Sequence, residues 1–178
     1  MDQLENASVT ASASPKSAAA GPVIPASNEL ISFAIGDEQY GVDIMAVREI
    51  KGWSEITHIP RQPEYVCGVL NLRGVIVPIV DLRCRFGQGH TEPTALHIVI
   101  VVQIEQRLIG LLADRVLDIV SFKPADLQAV PQTAHDAKVD FLAGLVMAGE
   151  AMIALIDLPN LFKSAPGDEL PAEMSAPA

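Results

Sequence analysis

The sequence predicts an all-β fold made of two barrel-like halves, and three observations carry that prediction. Short apolar runs recur at intervals of about ten residues with turn residues between them, the pattern of sandwiches and barrels. The runs are rich in Val, Ile and Leu, and β-branched residues suit a pleated, half-buried surface. No segment keeps a 3.6-residue period long enough to supply the helices of a parallel α/β sheet. The runs outnumber the strands of one small barrel. A chain of 178 residues can bury one well-packed domain or two small ones that share a core.

The elements follow in order. Leu30, Ser32 and Ala34 alternate with Ile31, Phe33 and Ile35; Gly36-Asp37 turns the chain, and Gln39 to Ile44 runs back as a hairpin. Met45 to Ile50 reads as a short helical turn, and Thr57 to Ile59 as a brief strand stopped by Pro60. Gly68 to Leu72 and Val75 to Leu82 are strands joined by Arg73-Gly74. Pro78 cannot donate to a ladder, so it belongs at an edge or a bulge. Leu96 to Ile104 is nearly continuously apolar, as in a strand buried on both faces. Glu105-Gln106 turns the chain, and Leu108 to Val120 returns. Phe141 to Met147 and Met152 to Ile156 form a hairpin around Gly149-Glu150, and Pro159 opens a short helix to Phe162. Residues 1–28 and 164–178 are rich in Ala, Ser and Pro; such segments bury too little surface to offset their ordering entropy and read as disordered tails. The folded domain is then 29–163.

Composition narrows the function. Aromatic residues make up 4% of the chain, so an aliphatic core is expected. The net charge of −10 would repel a phosphate backbone or an anionic membrane surface, which disfavours nucleic acid and direct membrane binding. No apolar run approaches the ~20 residues of a membrane span, and no signal-peptide core opens the chain. Cys67 and Cys84 make no C-x-x-C pair and read as reduced thiols of a cytoplasmic protein.

Searches for chemistry return little. Gly87-Gln88-Gly89 lacks the third glycine of a dinucleotide fingerprint and no βαβ unit surrounds it. His58, His90, His97 and His135 show no H-x-x-x-H spacing, so no metal site is expected. Asp43, Asp81, Asp114, Asp118 and Asp157 lie at strand ends. Paired carboxylates there could do acid–base work in a β-barrel enzyme or a small-ligand binder. The competing reading, favoured here, is that Asp at a strand end bonds its own backbone and shapes a turn. There is no D-[ST]-G and no G-x-S-x-G, and Cys67 has no base near it in sequence. An adaptor without cofactor or catalytic activity fits best.

Several segments resemble, in order, the CheW family of bacterial chemotaxis coupling proteins. They are GDEQYGVDI with VREIKG (Gly36 to Gly52), T-x-I-P (Thr57 to Pro60), GVLNLRGVIVPIVDLR (Gly68 to Arg83), RLIGLLADRVLDIV (Arg107 to Val120) and FLAGLVMAGEAMIALIDLPNLF (Phe141 to Phe162). The resemblance implies two intertwined SH3-like five-stranded β-barrels with short helical turns. It implies a non-catalytic scaffold that couples methyl-accepting chemoreceptors, at their cytoplasmic tips, to the regulatory domain of the histidine kinase CheA. Such a protein is cytoplasmic and recruited to membrane-associated receptor arrays. A CheW-like adaptor of a non-motility chemosensory pathway is the alternative.

On position alone, Arg73 is as readily a surface arginine as a functional one. The resemblance assigns it to receptor contact with Val47, Glu49 and Gly74, where its guanidinium can fork to carboxylates. Gly74 supplies a backbone conformation that side chains resist. Ile50, Lys51 and Cys67 are assigned to kinase contact. Gly68 and Gly110 are expected to serve tight barrel packing. Trp53 can pack inward or meet a partner.

Overall fold

The computed structural model describes residues 25–131 and 139–162. Eleven strands make two sheets. β1 (Glu29–Ile35), β2 (Glu38–Asp43), β8 (Arg115–Ser121), β9 (Leu127–Gln128), β10 (Leu142–Ala148) and β11 (Ala151–Ile156) form one, in the order β8-β1-β2-β11-β10-β9. β3 (Val47–Gly52), β4 (Val66–Leu72), β5 (Val75–Asp81), β6 (Ile98–Ile104) and β7 (Arg107–Ala113) form the other, in the order β3-β6-β7-β5-β4. The chain starts in the first sheet, builds the whole of the second, and returns, so the two halves are intertwined.

The second sheet closes on itself. Its margins are β3 and β4, and the chain beyond β3 comes back at Thr57. The Thr57 N–H donates to the Val69 carbonyl at 2.9 Å and the Val69 N–H donates to the Thr57 carbonyl at 2.8 Å. In the first sheet β9 follows β8 after a 3-10 turn at Pro124–Asp126, so the chain itself joins the margins. The predicted all-β class and its division into two barrel-like units are both present.

Three apolar clusters follow from period-2 alternation. Val99 and Val101 of β6 enter the second barrel with Leu70, Val77, Ile79 and Leu112, while Ile100 and Val102 point to a core shared by both halves. β1 divides in the same way. Leu30 joins Phe122, Val146, Ile153 and Leu155 inside the first barrel, and Ile31 faces the shared core. That is why β6 reads as an unbroken apolar run. The core is mostly aliphatic, as expected, but its few aromatics are concentrated. Phe33, Tyr40, Phe86 and Phe141 form a chain of rings with centroids 6.2, 4.9 and 6.3 Å apart. Arg85 lies 4.3 Å from the Tyr65 ring and 4.5 Å from Phe141, and its Nη2 donates to the Leu161 carbonyl at 2.8 Å.

Four expectations are corrected. The helical turn expected over Met45 to Ile50 is only Ile44–Ala46; Val47–Gly52 pairs with β6, and its burial alternates as a half-covered strand does. Leu108 to Val120 is not one strand but β7 and β8, in different sheets, separated at Asp114. Leu82 does not end β5. The Asp81 carboxylate accepts from the Arg83 and Cys84 N–H groups and starts a single helical turn, α1 (Leu82–Arg85). Pro78 lies in an interior strand, since β5 runs between β4 and β7. It is tolerated because the alternation of the β4–β5 pairs turns its nitrogen away from β4, and the β7 ladder begins one residue later, at Ile79. Of the residues placed in the N-terminal tail, 25–28 are described. The Ala26 N–H and the Ser27 hydroxyl donate to the Asp43 carboxylate at 2.6 and 2.7 Å. The remainder of both tails lies outside the described residues.

Asp114 clamps the crossing between sheets. It accepts a two-point bond from Arg83 Nη2 at 2.8 and 2.9 Å and the Gly36 N–H at 2.7 Å. Burial alone would raise its carboxyl. The Gly36 N–H, the Arg83 guanidinium and nearby His97 outweigh that and hold it below its ordinary 3.8. A depressed folded-state value gives stability that is present above the unfolded value and is lost as pH falls through the lowered one. Replacing Arg83 by leucine is therefore expected to raise the acid-unfolding midpoint, followed by circular dichroism between about pH 6 and 2. Equal midpoints for variant and wild type would show that the clamp contributes nothing.

Candidate interaction site

The β4–β5 hairpin turns on two residues, Arg73 (φ 51°) and Gly74 (φ 87°). Two consecutive positive φ values are what the tight two-residue hairpin turn needs, and only glycine adopts them without cost. The Asn71 side-chain oxygen accepts the Gly74 N–H at 2.8 Å and fixes the turn. This geometry projects Arg73 outward, with 77% of its side chain exposed, and its Nη2 lies 2.9 Å from Glu49 Oε2. Glu49 is on β3 and Arg73 follows β4, so the ion pair spans the two margins that close the barrel. An exposed pair of this kind adds only ~0–1 kcal/mol to stability, which leaves the guanidinium's other donors available to a partner.

The structure therefore brings Glu49, Arg73 and Gly74 together. Val47 lies apart from them. Pairing places Val47 opposite Val102 and Ile50 opposite Ile100, on the face of the shared core, whereas Glu49 and Lys51 lie opposite Val101 and Val99, on the face of the barrel interior. A register shift between Val47 and Glu49 causes the change of face. Val47 is partly buried against the shared core; Ile50 is 40% exposed. Cys67 sits at the β4 bulge between Val66 and Gly68. Its thiol is pushed up to about 12, by burial first and then by the Asp81 carboxylate and Cys84, so it stays protonated near neutral pH.

Sequence reasoning passed over some exposed apolar residues. Val75 (48%) and Ile76 (41%) extend from the Arg73-Gly74 turn, and Ile119 (56%) lies on β8, a margin of the first sheet. A signal was available, because Val75 to Val80 is apolar without alternation and so must present some side chains to water or to a partner.

The five strand-end carboxylates do not converge on one pocket. Asp81 and Asp157 cap α1 and α2 (Leu158–Leu161), Asp43 caps the 3-10 turn, Asp114 holds Arg83, and Asp118 accepts the Ile119 N–H. Asp43 and Asp157 share the lining of a cavity of about 260 Å³ between the sheets, each already engaged by backbone donors. Among the described residues no three side chains are grouped to hold a metal ion, and no helix is long and apolar enough to cross a membrane.

Two intertwined barrels, carboxylates committed to caps and clamps, and a hairpin tip displaying an ion pair beside apolar residues make a binding module. The comparisons with known proteins agree. The chain belongs to the CheW-like domain family, whose profile matches residues 29–166. It is 45% identical over 136 residues to a chemotaxis protein CheW of Rhizobium meliloti, covering 76% of this chain and 88% of that one. It is 39% identical over 136 residues to that of Klebsiella aerogenes, covering 76% and 82%. The crystal structure of the scaffolding protein TtCheW from Thermoanaerobacter tengcongensis superposes with a TM-score of 0.72 at 32% identity, over 83% of this chain and 94% of that one. Chemotaxis adaptor and scaffold is thus the role of this chain.

Proposed function

We propose that the protein is a non-catalytic coupler that joins the cytoplasmic tips of methyl-accepting chemoreceptors to the regulatory domain of the histidine kinase CheA. In this reading it works in the cytoplasm, at membrane-associated receptor arrays. The observation that carries it is the hairpin tip, where Arg73 is displayed by a strained turn, paired with Glu49 across the barrel seam and flanked by exposed Val75. A central interface arginine beside apolar residues is a common anchor of protein–protein contacts. Receptor contact falls to Glu49, Arg73, Gly74 and Val47, and kinase contact to Ile50, Lys51 and Cys67.

The test is reconstitution with purified components. A receptor cytoplasmic fragment and the CheA regulatory domain should each bind the chain in calorimetry, and the three together should sediment as one complex. Failure of the chain to bind either component would remove the proposal.

A further inference from the structure

A cavity of about 530 Å³ opens beside the seam of the second barrel, between the segment that follows β3 and the start of β4. Three carboxylates, Glu55, Glu64 and Asp81, line it beside the imidazoles of His58 and His90, and no lysine or arginine does. Asp81 is fully engaged. Its oxygens accept from the Arg83, Cys84 and Thr91 N–H groups and from the Thr91 hydroxyl, at 3.0, 3.3, 2.6 and 2.8 Å. It shapes the wall and offers little to a ligand. Glu55 and Glu64 are exposed and make no hydrogen bond or ion pair among the described residues. Trp53 supplies an indole, partly packed on the barrel core. Cys67 supplies a protonated thiol, which brings neither charge nor nucleophile.

We propose that this cavity receives an arginine side chain of the kinase domain, an inference that rests on the docking reading above. Two free carboxylates next to an indole suit a planar cation, which can stack on the ring while its edge forks to the carboxylates. Lysine, a compact and strongly hydrated point charge, uses the aromatic wall less well. The cavity is also continuous with the assigned kinase contacts. Trp53 follows Ile50 and Lys51 after the single residue Gly52, and Cys67 is itself part of the wall.

Trp53 is the only tryptophan in the chain, so its emission reports on this cavity alone. The full chain is titrated with Nα-acetyl-arginine amide, and with the lysine and citrulline counterparts. The expected result is a saturable change in emission with arginine, about tenfold tighter than with neutral, nearly isosteric citrulline, and weakened by salt. A variant carrying both Glu55→Gln and Glu64→Gln should keep the wild-type melting curve, lose that response, and bind the kinase domain about tenfold more weakly. No response to arginine, an equal response to citrulline or lysine, or a double variant that binds the kinase domain as well as wild type would overturn the inference. A wild-type chain that selects the arginine probe but does not bind the kinase domain would instead overturn the docking reading.

Discussion

Arg73→Ala is expected to leave the fold intact and to weaken receptor binding by about 30- to 1,000-fold, the equivalent of ~2–4 kcal/mol for a central interface arginine. The two halves of that expectation have different causes. Arg73 is a left-handed turn residue, and alanine would occupy the same φ without new strain relative to arginine. Its ion pair with Glu49 is exposed, so the loss to stability stays within about 1 kcal/mol. Binding is different, because a guanidinium enclosed by a partner loses water and must find its acceptors there. Arg73→Lys tests the geometry, since it keeps the charge and removes the fork. The charge-swapped pair Glu49→Arg with Arg73→Glu tests whether the ion pair itself is the recognised feature. If Arg73 contacts the partner directly, the swap restores neither affinity nor receptor control of kinase activity. Calorimetry with a receptor fragment reads both, and an Arg73→Ala chain with wild-type affinity would remove this residue from the interface.

Much of the fold was legible because the pleat repeats every second residue and the chain marks its turns plainly. The hairpins at Gly36-Asp37, Arg73-Gly74, Glu105-Gln106 and Gly149-Glu150 all fall where turn residues interrupt apolar runs. What periodicity cannot show is which sheet a run belongs to. Asp114 and Arg115 interrupt an apolar stretch by two polar residues, and nothing local marks that the chain changes sheets there. The reason lies 31 positions away in Arg83 and 78 away in Gly36, which hold its carboxylate. The same long-range dependence hid β3. Val47 and Ile50 face the same core three positions apart rather than two, because the register shift after Val47 changes the strand's face, and its strand character comes from pairing with β6.

The candidate site was legible in part. Motif resemblance pointed to Glu49 and Arg73 separately, and only barrel closure explains why residues 24 positions apart meet at 2.9 Å. The strand-end aspartates show the opposite case. Read locally, most are backbone caps, and that is what Asp43, Asp81 and Asp157 are. The local rule fails at Asp114, whose partners are distant. Trp53 remained undetermined because nothing in its neighbours reveals a cavity formed with Cys67 and Asp81, which come from β4 and β5.

Gly68→Ala is expected to lower stability by ~3 kcal/mol or more, because strain and overpacking act together at that position. Gly68 has φ +154°, and a Cβ there would come within 2.4 Å of the Thr57 carbonyl oxygen and 3.1 Å of Ile56 Cδ1. The obstacle is backbone, so no rotamer change relieves it. The contacted carbonyl also accepts the Val69 N–H in the bridge that closes the second barrel. Moving it away opens the seam across which Glu49 and Arg73 pair. Gly110→Ala is the informative comparison. Its Cβ would meet Ile79 Cδ1 at 2.5 Å and Val99 Cγ1 at 2.7 Å, both ends of side chains, with no positive φ to strain. Some of that crowding can relax, so a smaller loss, within ~1–3 kcal/mol, is expected. Urea denaturation of both variants gives the ordering. If the seam is what holds the interaction site together, Gly68→Ala should also reduce receptor binding under conditions where it remains folded, while Gly110→Ala should not. Equal stability of the two variants, or undiminished binding by Gly68→Ala, would show that barrel closure at Thr57 does not position Arg73.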